Sequence, residues 1–411
     1  MIAMSRTATF VAAALITAGL VCAPVEAQQS NFTPTVDANP QAGGGWSLTP
    51  SLSYSGAWDD NVLVRGEGDI PASDFLSVVN PRATLDYNGR RGQLSVNYDG
   101  AFLLYRELST LNSYDQRGSI YARRLLSPHV ALFVRSYAAQ TPTTELVSFV
   151  GLPFLRNGSR IVDTHSGIQA SLTRRTSFTV SYDVQWVDFD HSAAGSEFLR
   201  GGYSQGVTAS LRHEIDPRLT LTADYDITHA ITHPVLGTIN IDQAFDIQNG
   251  WVGADYKLSE QTHVFGAGGV SRLGVTELTR ARTGPAWRAG LLRNFQGAAI
   301  DLQYSRSFVP AYGFGGTTQN EELSARLRVP IARRLYASSG AAWRRNDPLT
   351  ELDLPLRSYW LEGVVGFAAT PFLSLEAFYS GTRQRIDRPG GRTNRDRFGF
   401  QVTTAKPMRV R

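Results

Sequence analysis

In Phe178–Val187 (FTVSYDVQWV) and Leu219–Thr228 (LTLTADYDIT), apolar and polar residues alternate with almost no interruption. Successive side chains of a β-strand point to opposite faces, so each segment describes a sheet with one apolar and one hydrated side. The same alternation recurs along nearly the whole chain, in segments of about ten residues separated by turn residues, which is the pattern of a transmembrane β-barrel. It predicts an all-β fold: an antiparallel up-and-down barrel of about 18 strands over residues 46–404.

Residues 1–27 read as a secretory signal. Arg6 supplies the positive region, Phe10–Val21 (FVAAALITAGLV) the apolar stretch, and Val25-Glu26-Ala27 a cleavage site with small side chains at the two positions a signal peptidase reads. The apolar stretch is too short for a spanning helix, and no later segment approaches 18 consecutive apolar residues. Cys22 is the only cysteine and lies inside the signal, after Gly19-Leu20-Val21, a poor lipobox. The mature chain therefore has neither a disulfide nor a thiolate metal site. Residues 28–45 form a Pro/Gly/Asn-rich lead-in, too small to plug a lumen, and 405–411 a periplasmic tail.

A hydrophobic fraction of 42% resembles that of a soluble protein, but it also fits a barrel in which every second strand residue meets lipid. The formal charge is +4, and Lys257 and Lys406 are the only lysines. So arginine-rich a surface could hold anionic lipid A phosphates bidentately; codon bias in a GC-rich genome is the plainer reading. The basic residues are scattered and balanced by 36 acids, which argues against nucleic-acid binding.

The connections alternate between tight and long. Eight are tight, among them GRRG (89–92), DPR (216–218) and TP (370–371); nine are long, near 59–74, 106–113, 141–160, 189–201, 231–242, 275–283, 309–319, 346–355 and 384–393. Short periplasmic turns, long outer loops and an even strand count place both termini in the periplasm and the barrel in the outer membrane. A soluble sandwich or propeller needs no such alternation. Aromatics cluster at strand ends: Trp58, Phe75, Tyr105, Tyr114, Tyr137, Trp186, Tyr203, Phe308, Trp343, Tyr359 and Tyr379 beside long loops, and Tyr87, Phe178, Tyr256, Tyr336 and Phe372 beside tight turns. These are expected to form the two interfacial girdles.

Alternation also sorts the charges. One on the lipid face costs roughly 2–4 kcal/mol at the midplane, so charges must point inward. The expected lumen carries Arg82, Asp86, Asp99, Arg135, Asp183, Arg212, Asp224, Asp226, Asp255, Arg288, Asp301, Glu322, Arg326, Arg328, Glu362, Glu376 and Arg397. Any one of these could be a structural ion pair; as a set they describe a hydrated channel of both signs. Loop 141–160 contains VSFVGLPFL (147–155), an apolar run that either folds into the lumen as a constriction or packs on a neighbouring loop. The seven histidines form no spaced metal motif, and no nucleophile elbow is present, so neither an enzyme nor a cofactor is expected. His191 beside Asp188 and Asp190, or His229 with His233, could form a rim dyad, though polar rim residues explain them as well. Asp59-Asp60-Asn61 could bind a divalent cation bridging lipopolysaccharide, or could be a turn that ends a strand.

The text SYSGAWDDNVLV (53–64), VNPRATLDYNGRRGQLSVNYDGAFLLY (79–105) and the Tyr/Arg-rich stretch 114–126 resemble the outer-membrane β-barrel porin family associated with exopolysaccharide and capsule gene clusters. The match covers residues 53–140 in text and the whole barrel in architecture. It implies a passive conduit for exported polysaccharide, partnered by a periplasmic export protein, with no catalytic residue. Against the family habit of a terminal aromatic, the last strand offers Phe398 and Phe400 and then runs on to Arg411. The residues themselves leave open a diffusion porin for small solutes and, more remotely, a rim enzyme.

Overall fold

The computed structural model describes residues 45–410 apart from 67–71, 143–155, 191–198, 200, 233–234, 237–238, 241, 276–279, 296, 314–315, 350–354 and 388–390. The segments expected as signal peptide and lead-in, apart from residue 45, lie outside the described residues.

Eighteen long strands form one antiparallel sheet. They are β1 (Gly45–Asp59), β2 (Asp74–Asn88), β3 (Gly92–Tyr105), β4 (Ser113–Ser127), β5 (Val130–Thr141), β6 (Ser159–Ser171), β7 (Thr176–Phe189), β8 (Gly202–Asp216) and β9 (Leu219–Thr232). The second half holds β10 (Gln243–Ser259), β11 (Thr262–Leu273), β12 (Arg282–Phe295), β13 (Ala298–Pro310), β14 (Thr317–Pro330), β15 (Leu335–Pro348), β16 (Leu356–Thr370), β17 (Leu373–Ile386) and β18 (Arg392–Ala405). Each pairs with its chain neighbours, and β1 pairs with both β2 and β18, which closes the sheet into a cylinder and leaves no open edge. A further short strand, Met408–Val410, adds to the periplasmic end of β1 by pairing with Trp46–Leu48. The expected free tail is thus partly tied to the wall, because the unpaired start of β1 offers it a backbone ladder.

The register decides which side chains share a face, since directly opposed residues point the same way. Arg82 opposes Asp99, which opposes Arg117; Arg397 opposes Asp59, which opposes Asp74. Followed around the cylinder, this face returns to itself with one parity per strand. It is the inner face, because its side chains meet across intervening strands: Arg288 on β12 reaches Asp224 on β9 at 2.6 Å. The opposite face carries most of the exposed large apolar residues, among them Leu52, Val252, Leu361, Val365 and Phe398, each at least 49% exposed. In water such a surface would aggregate; against lipid tails it is the stable arrangement.

Glycine permits close strand approach on the inner face. A Cβ on Gly269 would lie 1.8 Å from the Gly250 carbonyl oxygen, and one on Gly167 would lie 1.7 Å from that of Val180. The wall can curve at these points only because no side chain is there.

Candidate functional site

All seventeen charged residues singled out from the sequence lie on the inner face. Many are engaged with one another or with polar neighbours. Arg82 donates from Nε to Asp99 at 3.0 Å, and Asn80 donates to the other Asp99 oxygen at 2.6 Å. His165 bonds to Asp183, which also accepts from Thr208 at 3.2 Å. Arg288 bridges to Asp224 while its guanidinium stacks on Trp251, 4.3 Å from the ring centroid. Asn249 donates to Asp226 at 2.9 Å, and Arg344 donates to Glu322 at 3.0 Å. Glu376 accepts from Tyr336, whose ring lies beneath Arg328, and Asp301 accepts from Gln303. Among the described residues, Asp86, Arg135, Arg212, Asp255 and Arg326 make no hydrogen bond or ion pair, and Oε2 of Glu362 is buried without a partner. The inner wall is therefore a mosaic of locked pairs and solvated charges of both signs.

The extracellular mouth is narrowed from one side by the end of the β13–β14 hairpin. Pro285 on β12 has no N–H to offer, and the β12–β13 ladder stops at Trp287 and Arg306. Beyond that point β13 leaves the wall and bends inward. Phe308, whose parity would send it outward, is instead buried with Ala230, Phe245, Ile247, Leu273 and Leu349, and its backbone N–H donates to Ser271 at 3.3 Å. Two residues past the strand, Tyr312 is 1% exposed among Ile161 on β6, Val187 and Phe189 on β7, and Leu199 in the β7–β8 connection. Its hydroxyl donates to Ser204 at 2.6 Å, and burial pushes its pKa well above the ordinary value. Gly313 and Gly316 at the tip have φ of 96° and 77°, which favours glycine, and the Gly316 N–H donates to Thr232 at 2.9 Å.

A second inward body stands about seven strands away around the cylinder. Val62, fully buried, packs on Leu76, Ala101, Leu103 and Tyr105 of the β2–β3 inner face. Arg156 closes over it, donating to Tyr105 Oη at 2.9 Å and to the carbonyls of Val62 and Leu111. The apolar run 147–155, expected either to fold into the lumen or to pack on a neighbouring loop, lies outside the described residues. The hairpin tip is an inward element that the loop inventory passed over, although its text, FVPAY (308–312), is also oddly apolar for an exposed loop.

Several expectations are corrected. Tyr105, Tyr137, Phe308 and Tyr336 do not belong to the girdles, because they point inward; position near a strand end was weighed without parity. Asp59 binds no cation. Both its oxygens are taken by Arg395 in an ion pair 0% and 3% exposed, while Asp60 accepts from the Asp396 N–H and Asn61 donates to the Asn394 carbonyl. The motif is the clasp that joins the first strand to the last. His229 pairs with Asp246 at 2.8 Å on the outer face, whereas His191 and His233 lie outside the described residues. Among the described residues no group of three or more His, Asp or Glu could hold a metal ion.

The barrel is similar to the crystal structures of Acinetobacter baumannii OccAB3 (12% identity, TM-score 0.44, 88% of this chain and 99% of that one) and Pseudomonas aeruginosa OpdQ (10%, 0.42, 88% and 98%). It is also similar to Pseudomonas aeruginosa OpdK with vanillate (9%, 0.43, 88% and 99%). No family model and no curated protein matches the chain. A closed cylinder of eighteen strands, apolar outside and charged inside, stands in the outer membrane as a β-barrel of the porin type.

Proposed function

We propose that this barrel is a diffusion channel for small hydrophilic solutes, with the seventeen inner-face charges lining the path. The docked β13–β14 hairpin supports this reading most directly. A polymer needs a wide, open route, whereas here two bodies are seated on the inner face at the mouth and one is pinned by a buried tyrosine. The solvated charges of both signs, Asp86 and Asp255 against Arg135, Arg212 and Arg326, suit uncharged or zwitterionic polar solutes better than a strongly charged one.

The polysaccharide conduit rests on the textual resemblance over 53–140. It would require these loops to leave the mouth. Two measurements separate the readings. Liposomes containing the protein should swell with small sugars and show a sharp cut-off as sugar size rises. Deleting the gene should reduce uptake of small solutes and leave surface polysaccharide at its normal level. Loss of surface polysaccharide with unchanged solute uptake would replace the diffusion reading with export.

A further inference from the structure

On the outer face of the extracellular end, four arginines stand side by side on four consecutive strands. Arg345 on β15 directly opposes Arg357 on β16; Arg357 opposes Arg385 on β17; Arg385 opposes Arg392 on β18. Like charges directly opposite one another across a sheet are destabilising, so an unbroken row of four is costly unless an anion sits among them. Neighbouring acids relieve the row only in part. Arg345 contacts Asp347 at 2.8 Å and Arg385 contacts Asp387 at 3.8 Å, and both acids stand one step farther from the membrane. Arg357 is exposed and, among the described residues, has no acid within ion-pair distance.

The height of the row is fixed independently. One step toward the membrane on the same outer face, Trp343 opposes Tyr359, and two steps farther still Tyr379 opposes Phe398. Aromatic side chains of this kind mark the boundary between hydrocarbon and headgroups. The arginines therefore stand at the level of the headgroup phosphates, in the leaflet on the long-loop side. From this juxtaposition we propose that Arg345, Arg357, Arg385 and Arg392 form a binding site on the outer wall for the phosphorylated sugar headgroup of lipid A, with Trp343 and Tyr359 against the base of its acyl chains. Guanidinium groups hold phosphate oxygens in pairs of parallel hydrogen bonds, and the sheet presents them at regular spacing of about 4.8 Å.

The test compares lipid binding by the purified, folded barrel and by the triple variant Arg357→Ala/Arg385→Ala/Arg392→Ala, measured by native mass spectrometry in detergent with added bisphosphorylated lipid A. An arginine near an anionic lipid surface contributes about fivefold in affinity, so the triple variant should bind on the order of a hundredfold more weakly. Lipid A stripped of both phosphates should bind wild type no better than it binds the variant. Inorganic phosphate at millimolar concentration should leave the lipid bound. Heat-modifiable migration of the variant shows that it has folded, and Arg124→Ala/Arg293→Ala, at the periplasmic end of the outer face, should retain wild-type binding. Equal affinity of wild type and triple variant overturns the proposal. So does full displacement of the lipid by inorganic phosphate, which would make the row a site for free anions.

Discussion

Truncating Tyr312 to alanine should widen the mouth and leave the barrel standing. The ring is 1% exposed and touches Ile161, Val187, Phe189 and Leu199, and the hydroxyl holds Ser204 at 2.6 Å. Removing a buried aromatic side chain costs about 3–5 kcal/mol, of which the hydrogen bond is worth about 1 kcal/mol. That weakens docking of the hairpin by a factor on the order of 10²–10⁴. The Gly316–Thr232 bond and the Phe308 cluster remain, so the hairpin should exchange between docked and released positions. The strand ladders are untouched, and heat-modifiable migration should be unchanged. In planar bilayers the variant should show a larger and noisier single-channel conductance than wild type. Tyr312→Phe keeps the ring and should stay close to wild type. An unchanged conductance in Tyr312→Ala would refute the reading of the hairpin as the constriction. An effect of Tyr312→Phe as large as that of Tyr312→Ala would refute the claim that packing holds it.

Three further outcomes are expected. Ala223→Arg places a charge between Leu211 and Val252 on the lipid face at a cost of about 2–4 kcal/mol and should impair assembly on a heat-modifiability gel, whereas Asp224→Asn, one residue along, should assemble, release Arg288 and shift ion selectivity toward anions; equal behaviour would invert the face assignment. Arg395→Leu leaves Asp59 charged and buried and should destabilise the barrel by about 3–5 kcal/mol in urea unfolding from vesicles, with much of the loss recovered by adding Asp59→Leu. Because burial raises the Tyr312 pKa, docking binds the proton; the hairpin should hold fully below the ordinary phenol pKa of about 10 and be released only as pH rises through the docked value, seen as a conductance increase that Tyr312→Phe lacks.

The wall was legible in the sequence because its physics is local. Alternation fixed the strands, connection length fixed their direction, and the cost of charge in lipid fixed the inner face; the register then placed Arg82 beside Asp99 and Glu322 beside Arg344. Parity also shows where end-of-strand counting failed: Tyr137 shares its face with Asp163 and Tyr336 shares its face with Glu376, so neither reaches an interface. The mouth was not legible, because its contacts are long-range. Nothing near Tyr312 in the chain names Ser204 as its partner, 108 residues away, and nothing in Asp59-Asp60-Asn61 names Arg395, 336 residues away. A local signal existed for the inward bend: Pro285 falls where β13 needs a hydrogen-bonding neighbour.

Composition of the inner face along each strand connects the wall to the mouth. Near the long loops several inward positions are apolar: Leu76 on β2, Leu103 on β3, Ile161 on β6, Val187 on β7, Phe245 and Ile247 on β10. Two to eight residues deeper on the same strands they become Arg82, Asp99, Asp163, Asp183 and Asp255. An apolar residue facing a water-filled lumen gains nothing from pointing inward, so its presence implies a cover. At each apolar position the structure supplies one: Val62 over β2 and β3, Tyr312 over β6 and β7, Phe308 and Leu349 over β10. On these strands charge begins where the cover ends, and the inward charges nearer the loops, Asp59, Asp74 and Asp115, are buried and held by Arg395, by the Glu107 and Leu108 N–H groups and by Arg117. The inner face thus records how deep the loops reach. It also separates two properties of the molecule: the closed ladder fixes the cylinder, and the loops seated on its apolar rim set what the cylinder admits.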